Sequence, residues 1–172
     1  MAAIKAPAFK PSRAFQAEFE KAKKDGLNDT EYEKLHDLAA KEIQKSTKPQ
    51  ALAALYTGEF KGWQAKGLIK QDPKLSADTS AWVFKAVADQ KSIADGSKYL
   101  KANAAQLIAK YPNLKDVDFK KTGLADFGDY SYMNLVDKKG KTIFGNDPRV
   151  ATIRQILGSP FKTVVIGAYE EQ

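Results

Sequence analysis

The chain has 172 residues, a hydrophobic fraction of 43% and a charged fraction of 28%, which is ordinary for a folded globular protein. This length is sufficient for one domain with a buried core, or for one domain with an appendage. The absence of cysteine excludes disulfide scaffolds, thiolate zinc sites and cysteine nucleophiles. No apolar run approaches the roughly 20 residues that a membrane-spanning helix needs, so no transmembrane segment is predicted.

The formal net charge is +7 at neutral pH, from 28 basic and 21 acidic residues. The basic excess is spread along the sequence, whereas a phosphate-binding surface usually concentrates it on one tail or face. Arginine, which grips phosphate and reads guanine edges with two parallel hydrogen bonds, is rare. It occurs only at Arg13, Arg149 and Arg154. The composition therefore disfavours sequence-specific recognition of nucleic acid but leaves lysine contacts to phosphates open.

The N-terminal residues 1–11 have no core pattern and predict an extended basic arm. Basic, acid-poor starts are also typical of organelle transit segments, although Pro7 and Pro11 would interrupt the amphipathic helix of such a segment. We favour an extended arm over a transit segment. Its apolar residues Ile4 and Phe9 are candidates for contact with a neighbouring protein. We also expect an intracellular protein, and the basic arm favours an organelle interior, that of the mitochondrion first, over the cytoplasm. The first acidic residue comes only after three basic ones, Lys5, Lys10 and Arg13.

Two helices are predicted directly after the arm. Ser12 is a suitable N-cap for the first, which runs to about Asp25 and ends at Gly26. Asn28 and Glu31 have the spacing of a capping box, which predicts the start of the second. Because the junction between them is so short, we expect an antiparallel helical hairpin.

The clearest amphipathic helix is predicted over residues 49–67. Pro49 suits the first turn, where its missing N–H has no partner to lose, and Gly67 suits the end. Gly58 and Gly62 lie inside the helix, where they either allow close approach of another backbone or simply weaken it. We expect one face of this helix to be the centre of the core. Its apolar and aromatic side chains recur at three- and four-residue steps, at Leu52, Leu55, Tyr56, Phe60 and Trp63.

Two more helices complete the N-terminal array. The fourth begins within residues 76–79 and ends near Lys91, and a turn follows at 93–96. The fifth covers residues 97–111 and ends there because Pro112 disfavours a helical conformation in the residue before it.

The pattern changes beyond residue 111. Residues 113–129 are predicted as an irregular packed loop, and residues 130–144 as a β-hairpin with its turn at 137–140. A short helix begins after Asp147. A last apolar strand over 163–169 is expected to pair with the hairpin.

These patterns predict a mostly α-helical fold, an array of about five to six helices with a small C-terminal β-hairpin or strand element. They divide the chain into three regions. Residues 1–11 form the extended basic arm, residues 12–111 a helical domain, and residues 112–172 a smaller α+β region packed on that domain.

No catalytic or cofactor motif is complete in the sequence. His36 is the only histidine, and we interpret it as a surface or half-buried helix residue rather than a catalytic base. The tripeptide at 140–142 resembles the end of a phosphate-binding loop, but Leu135 occupies the position where that motif needs another glycine. We therefore predict a hairpin turn at this position, no catalytic residue and no cofactor.

Several aspartates could in principle supply oxygen ligands to a hard cation or form an acid–base pair. Asp116 lies two residues before Asp118, and Asp126 lies three residues before Asp129. Neither pair has the alternating ligands and closing glutamate of an EF-hand loop. We interpret them as caps and turns and predict no metal site. An enzyme that uses Asp126, Asp129 or His36 stays an open alternative.

The predicted hairpin is apolar on both faces. Tyr130 and Tyr132 share one face, and Met133 and Leu135 share the other. This pattern is typical of a hairpin held between its own helices and a partner, although exposed aromatic rings also stack on nucleic-acid bases.

The sequence therefore predicts a non-enzymatic accessory or structural subunit of a larger protein assembly, which acts through protein–protein contacts. The alternative is an RNA- or ribosome-associated basic protein that makes sequence-independent phosphate contacts. The predicted contacts to other protein subunits are Ile4, Phe9, Tyr130, Tyr132, Ile143, Phe144 and Val165.

Overall fold

The computed structural model describes residues 11–22, 26–69, 76–127 and 130–169. Six α-helices and one small sheet lie in these ranges, which confirms the predicted mostly helical fold with a small C-terminal β element. None of the helices in these ranges combines the length and apolar character required to cross a bilayer. The helices are α1 (Arg13–Ala22), α2 (Asp29–Lys45), α3 (Pro49–Ala65), α4 (Ala77–Ala102), α5 (Ala104–Lys110) and α6 (Pro148–Leu157).

The chain forms two compact units, Met1–Ala88 and Asp89–Gln172, and the boundary between them falls within α4. Each unit has a hydrophobic core of its own. The proposed division at residues 11 and 111 stays a prediction, and the arm with Ile4 and Phe9 lies outside the described residues.

The core of the first unit is built on the predicted aromatic face of α3. Phe15 of α1 packs on Tyr56 with ring centroids 4.7 Å apart, and Phe19 stacks on Trp63 at 4.5 Å with nearly parallel rings. Phe60 is fully buried among these rings. Each such side chain contributes roughly 1.5–3 kcal/mol by leaving water, so this face is a large part of the core of the unit.

The predicted helix starts are confirmed by their hydrogen bonds. The backbone N–H of Phe15 donates to the Ser12 hydroxyl at 3.1 Å. The Glu31 N–H donates to the Asn28 side chain at 2.8 Å, and Glu31 accepts from the Asn28 N–H at 3.1 Å, which completes the capping box. Pro49 is in the first turn of α3. Local sequence patterns are therefore sufficient to begin these helices.

One carboxylate joins three helices of the first unit. The Ser12 hydroxyl, at the start of α1, and the Tyr56 hydroxyl, on α3, both donate hydrogen bonds to Glu42 of α2. Burial and the adjacent Glu42 carboxylate both raise the pKa of the Tyr56 hydroxyl, so it stays a donor over the ordinary pH range.

The predicted turn at 93–96 is wrong, because α4 continues through it to Ala102. Gly96 is inside this helix, where a Cβ atom would lie 2.4 Å from Cζ of Phe161. Glycine is therefore needed for close packing rather than for a turn. The break comes later, at Asn103, whose side-chain amide donates to the Tyr99 carbonyl at 2.9 Å. Gly58 and Gly62 in α3 differ, since a Cβ at either would meet no described atom within 4 Å.

The sheet of the second unit is only partly as predicted. Its strands are β1 (Gly123–Asp126), β2 (Ser131–Asn134) and β3 (Val165–Ile166), in the order β1-β2-β3. β2 pairs antiparallel with β1 and parallel with β3. The predicted irregular loop at 113–129 therefore contains a strand, and the hairpin partner of β2 is β1 rather than residues 141–144. The short glycine- and aspartate-containing sequence of β1 has little intrinsic strand preference, so only its pairing makes it a strand.

The predicted turn at 137–140 is present. Val136 and Thr142 form an isolated bridge across it, and Gly140 has a φ of 81°. The Gly140 N–H donates to the Asp137 carbonyl at 3.0 Å. This turn, and not a phosphate-binding loop, explains the glycine at position 140.

We expect Gly96→Ala to destabilise the protein by about 1–3 kcal/mol, because the added methyl group overlaps the Phe161 ring. Gly58→Ala is the matched control, and it should be neutral or stabilising by up to about 1 kcal/mol, since its methyl group enters open space. Urea unfolding followed by circular dichroism measures both. Equal effects of the two substitutions would contradict the packing role of Gly96.

We expect Tyr56→Phe to cost about 1.5–3 kcal/mol, because it removes a part-buried hydrogen bond to a carboxylate. Tyr99→Phe removes an equivalent hydroxyl from a half-exposed ring, and its unfolding midpoint should match that of the wild type. A Tyr56→Phe variant as stable as the wild type would show that the bond to Glu42 contributes nothing net.

Candidate functional site

The most distinctive surface of the second unit is a group of aromatic rings in mutual contact, which we call the aromatic cluster. The rings of Phe127 and Tyr132 are stacked, with centroids 5.7 Å apart and planes 5° apart. Tyr130 contacts Tyr132 at 6.1 Å and meets Tyr169 edge-on at 5.6 Å. The four members of the cluster are Phe127, Tyr130, Tyr132 and Tyr169.

Three of these rings are open to solvent. The exposed fractions are 62% for Phe127, 42% for Tyr130 and 65% for Tyr169, whereas Tyr132 is only 8% exposed. Phe127 and Tyr130 thus pack on the buried Tyr132 ring, and Tyr169 packs on Tyr130. Isolated exposed apolar residues are normal on a protein surface, but contiguous ones mark interaction sites.

The sheet determines which side chains meet in the cluster. Tyr132 on β2 is directly opposite Ala125 on β1, so both point to the same face. Side chains alternate along each strand, which places Phe127 and Tyr130 on that face too. The connection is closed by a hydrogen bond from the Phe127 N–H to the Tyr130 carbonyl at 3.0 Å. The other face carries Met133, which is fully buried in the core.

The predicted partner contacts in the described residues occupy different environments. Tyr130 and Tyr132 meet in the cluster, and Val165, half-buried, is the β3 neighbour of Tyr132 on the same face. Phe144 is 37% exposed and bridges Ala168 rather than joining the cluster rings. Ile143 is 1% exposed and belongs to the core, so its side chain is not on the surface.

Sequence reasoning did not include Phe127 or Tyr169 among the partner contacts. The sequence carries a signal for Tyr169, since this residue ends the last predicted strand, which is expected to pair with the hairpin. Phe127 falls in the predicted loop at 113–129, and without β1 its side chain cannot be assigned to a face. The pairing of β1 with β2 supplies that assignment.

His36 lies in a buried hydrogen-bonded group of the first unit. Its Nδ1 is 2.8 Å from the Ser80 hydroxyl, which also contacts the Tyr32 hydroxyl, and its ring stacks on Phe84 at 5.1 Å. The expected surface or half-buried position is wrong, because Ser80 and Phe84 of α4 cover the side chain and leave it 9% exposed. These neighbours could not be predicted from the sequence of α2 alone. Ser80 is fully buried, so this serine–histidine contact offers no access for a substrate.

Burial lowers the pKa of His36, and the charges of Asp37 and Glu33 oppose that shift only in part. The imidazole is therefore neutral near pH 7, and its Nδ1 forms one hydrogen bond with the Ser80 hydroxyl, in which the tautomer decides which atom donates. These contacts give hydrogen-bond partners to Nδ1 of His36 and to the hydroxyls of Ser80 and Tyr32, which are buried in the core.

Two of the aspartates considered as cation ligands, Asp118 and Asp126, make side-chain hydrogen bonds within the described residues. The Asp118 carboxylate accepts a hydrogen bond from the Lys120 N–H at 3.1 Å, which confirms its interpretation as a cap. Asp126 is exposed, and its carboxylate accepts a hydrogen bond from the side-chain amide of Gln90 at 3.5 Å. Asp129 lies outside the described ranges. Within those ranges, no three histidine or acidic side chains are grouped as they would be to bind a metal ion.

Comparisons of the chain with protein-family models, curated proteins and solved structures gave no match. We therefore infer function from the chemistry of the chain's own surface. In the described part of the chain, the aromatic cluster is the largest group of exposed rings in mutual contact.

We expect the free energy of unfolding to fall as the pH drops below about 6.5, where histidine in the unfolded chain takes up a proton. The folded chain resists that protonation because the pKa of His36 is lowered, so the unfolded state binds more protons. The contribution of one such group is at most about 1.4 kcal/mol per pH unit, and it vanishes above pH 6.5.

Urea unfolding of the wild type and of His36→Gln at several pH values isolates this contribution from that of the carboxylates. The difference in slope between the two proteins should be confined to pH values below about 6.5. Parallel stability curves for the two proteins would rule out a buried, neutral His36.

Proposed function

We propose that this chain is a non-enzymatic accessory subunit of a larger protein assembly, and that it joins the assembly through the aromatic cluster. The supporting observation is a set of three exposed rings in mutual contact, two of which pack on the buried Tyr132. Tyrosine and phenylalanine are enriched at protein interfaces, where charged residues are depleted from the centre.

The geometry of the cluster lowers the cost of binding. The exposed rings already contact one another, and each has only two side-chain torsions to fix, so little conformational entropy is lost when a partner covers them. The tyrosine hydroxyls of Tyr130 and Tyr169 can donate hydrogen bonds at the rim of the contact while the ring faces are buried.

In this proposal the two faces of the sheet have different roles. The face with Met133 packs in the core of the second unit, and the opposite face, with Tyr132 and its neighbours, contacts the partner. The predicted contacts Ile4 and Phe9 would add a segment that lies along a neighbouring subunit. The basic, acid-poor N-terminus supports a mitochondrial location for the assembly.

The test compares two double variants of the tagged full-length protein in its native cells. Phe127→Ser with Tyr169→Ser removes the two most exposed rings of the cluster. Trp82→Ser with Tyr99→Ser is the control, since these rings are 59% and 50% exposed and have no described ring contact. Because all four side chains are exposed, both variants should stay folded by circular dichroism.

We expect a fixed set of proteins to copurify with the wild type and with the control, and to be reduced at least about 30-fold with the cluster variant. That factor corresponds to one interface residue worth about 2 kcal/mol. Migration of the wild type as a solitary chain in native extract would refute the proposal. The same proteins recovered equally with the cluster variant would refute the cluster as the contact.

A further inference from the structure

Two segments that are apart in the sequence bring lysines together in the second unit. They are residues 115–121 and the turn at 137–141. Val117 and Asp137 form an antiparallel bridge between them, and the Lys138 N–H donates to the Asp116 carbonyl at 2.8 Å. Six exposed lysines, which we call the lysine patch, lie on these segments, at Lys115, Lys120, Lys121, Lys138, Lys139 and Lys141.

Two of the three carboxylates among these lysines, those of Asp118 and Asp137, accept hydrogen bonds from the backbone. One Asp137 oxygen accepts from the N–H groups of Lys139 and Lys141, both at 2.9 Å, and Asp118 caps the turn at Lys120. None of the six ammonium groups takes part in an ion pair within the described ranges. With six lysines and three aspartates on these segments, the fold gathers here part of the basic excess that looks dispersed in the sequence.

We propose that the lysine patch binds a single-stranded nucleic acid through its phosphates, without recognising base sequence. Lysine supplies point charges rather than the planar fork that reads base edges. The two arginines of this unit are occupied, since Arg149 pairs with Asp147 at 2.8 Å and Arg154 donates to two backbone carbonyls. The chemistry available to a ligand is thus sequence-independent phosphate contact.

A polymer fits this surface better than a lipid membrane does. Val117 and Phe119 point into the core, and no large apolar side chain of either segment is exposed. Membrane-surface segments combine apolar insertion with charge, whereas residues 115–121 and 137–141 expose no large apolar side chain that could insert. Phe144, 37% exposed and three residues after Lys141, presents a ring on which a base can stack.

The experiment measures fluorescence anisotropy of a labelled poly(U) strand of about 20 nucleotides with the full-length protein, at salt concentrations from about 50 to 200 mM. The affinity should fall steeply with salt. Each lysine that neutralises a phosphate of a single strand adds about −0.7 to the slope of log K against log salt, so the six together give a slope of about −4.

The patch variant Lys138→Gln, Lys139→Gln and Lys141→Gln should lose about 2 units of that slope, and should bind more weakly at every salt concentration. The control variant Lys45→Gln, Lys61→Gln and Lys66→Gln removes the same charge from exposed positions of the first unit. It should keep the slope of the wild type, which distinguishes a local site from net charge.

Three results would overturn the proposal. The first is no binding to the oligonucleotide at the lowest salt. The second is an equal loss of slope in both variants, which would assign the attraction to net charge. The third is binding to phosphatidylserine vesicles, lost in the patch variant, in place of binding to the oligonucleotide. None of these results bears on the aromatic cluster, whose test uses other residues.

Discussion

The pairing of β2 with strands on both sides is the constraint on which the second unit depends. β1 precedes it and pairs antiparallel, while β3 comes from the end of the chain and pairs parallel. At one end of the β1–β2 pair lie Phe127 and Tyr130. At the other end the chain continues into the turn at 137–140 and meets the segment from residue 115. Both proposed surfaces are therefore consequences of one short, central strand.

The two surfaces use different chemistry on a shared scaffold. The aromatic cluster exposes ring faces that gain free energy by leaving water, so it suits a dry, shape-complementary protein contact. The lysine patch exposes unpaired charge that gains by releasing counterions, so it suits a wet, salt-sensitive contact. Because β2 separates them, one can be disabled without disturbing the other, and the two proposed functions are experimentally independent.

The parts of the fold that local chemistry controls could be predicted from the sequence. Ser12, Asn28 and Pro49 mark helix starts whose hydrogen bonds or ring geometry are local, and the aromatic face of α3 follows from its spacing. Features that depend on distant residues could not be predicted. Gly96 resembles a helix stop until the Phe161 ring that packs on it is known. The burial of His36 depends on Ser80 of α4, and β1 is a strand because it pairs with β2.

The turn at 137–141 carries half of the lysine patch, and its shape does not depend on the charges of its lysines. Asp137 holds the turn with backbone amides alone, so the ammonium groups of Lys138 and Lys139 have no part in keeping its shape. Substitutions that add or remove positive charge at these lysines should therefore change the free energy of folding little. Exchanging these lysines should change the charge of this surface while Asp137 and Gly140 keep the shape of the turn.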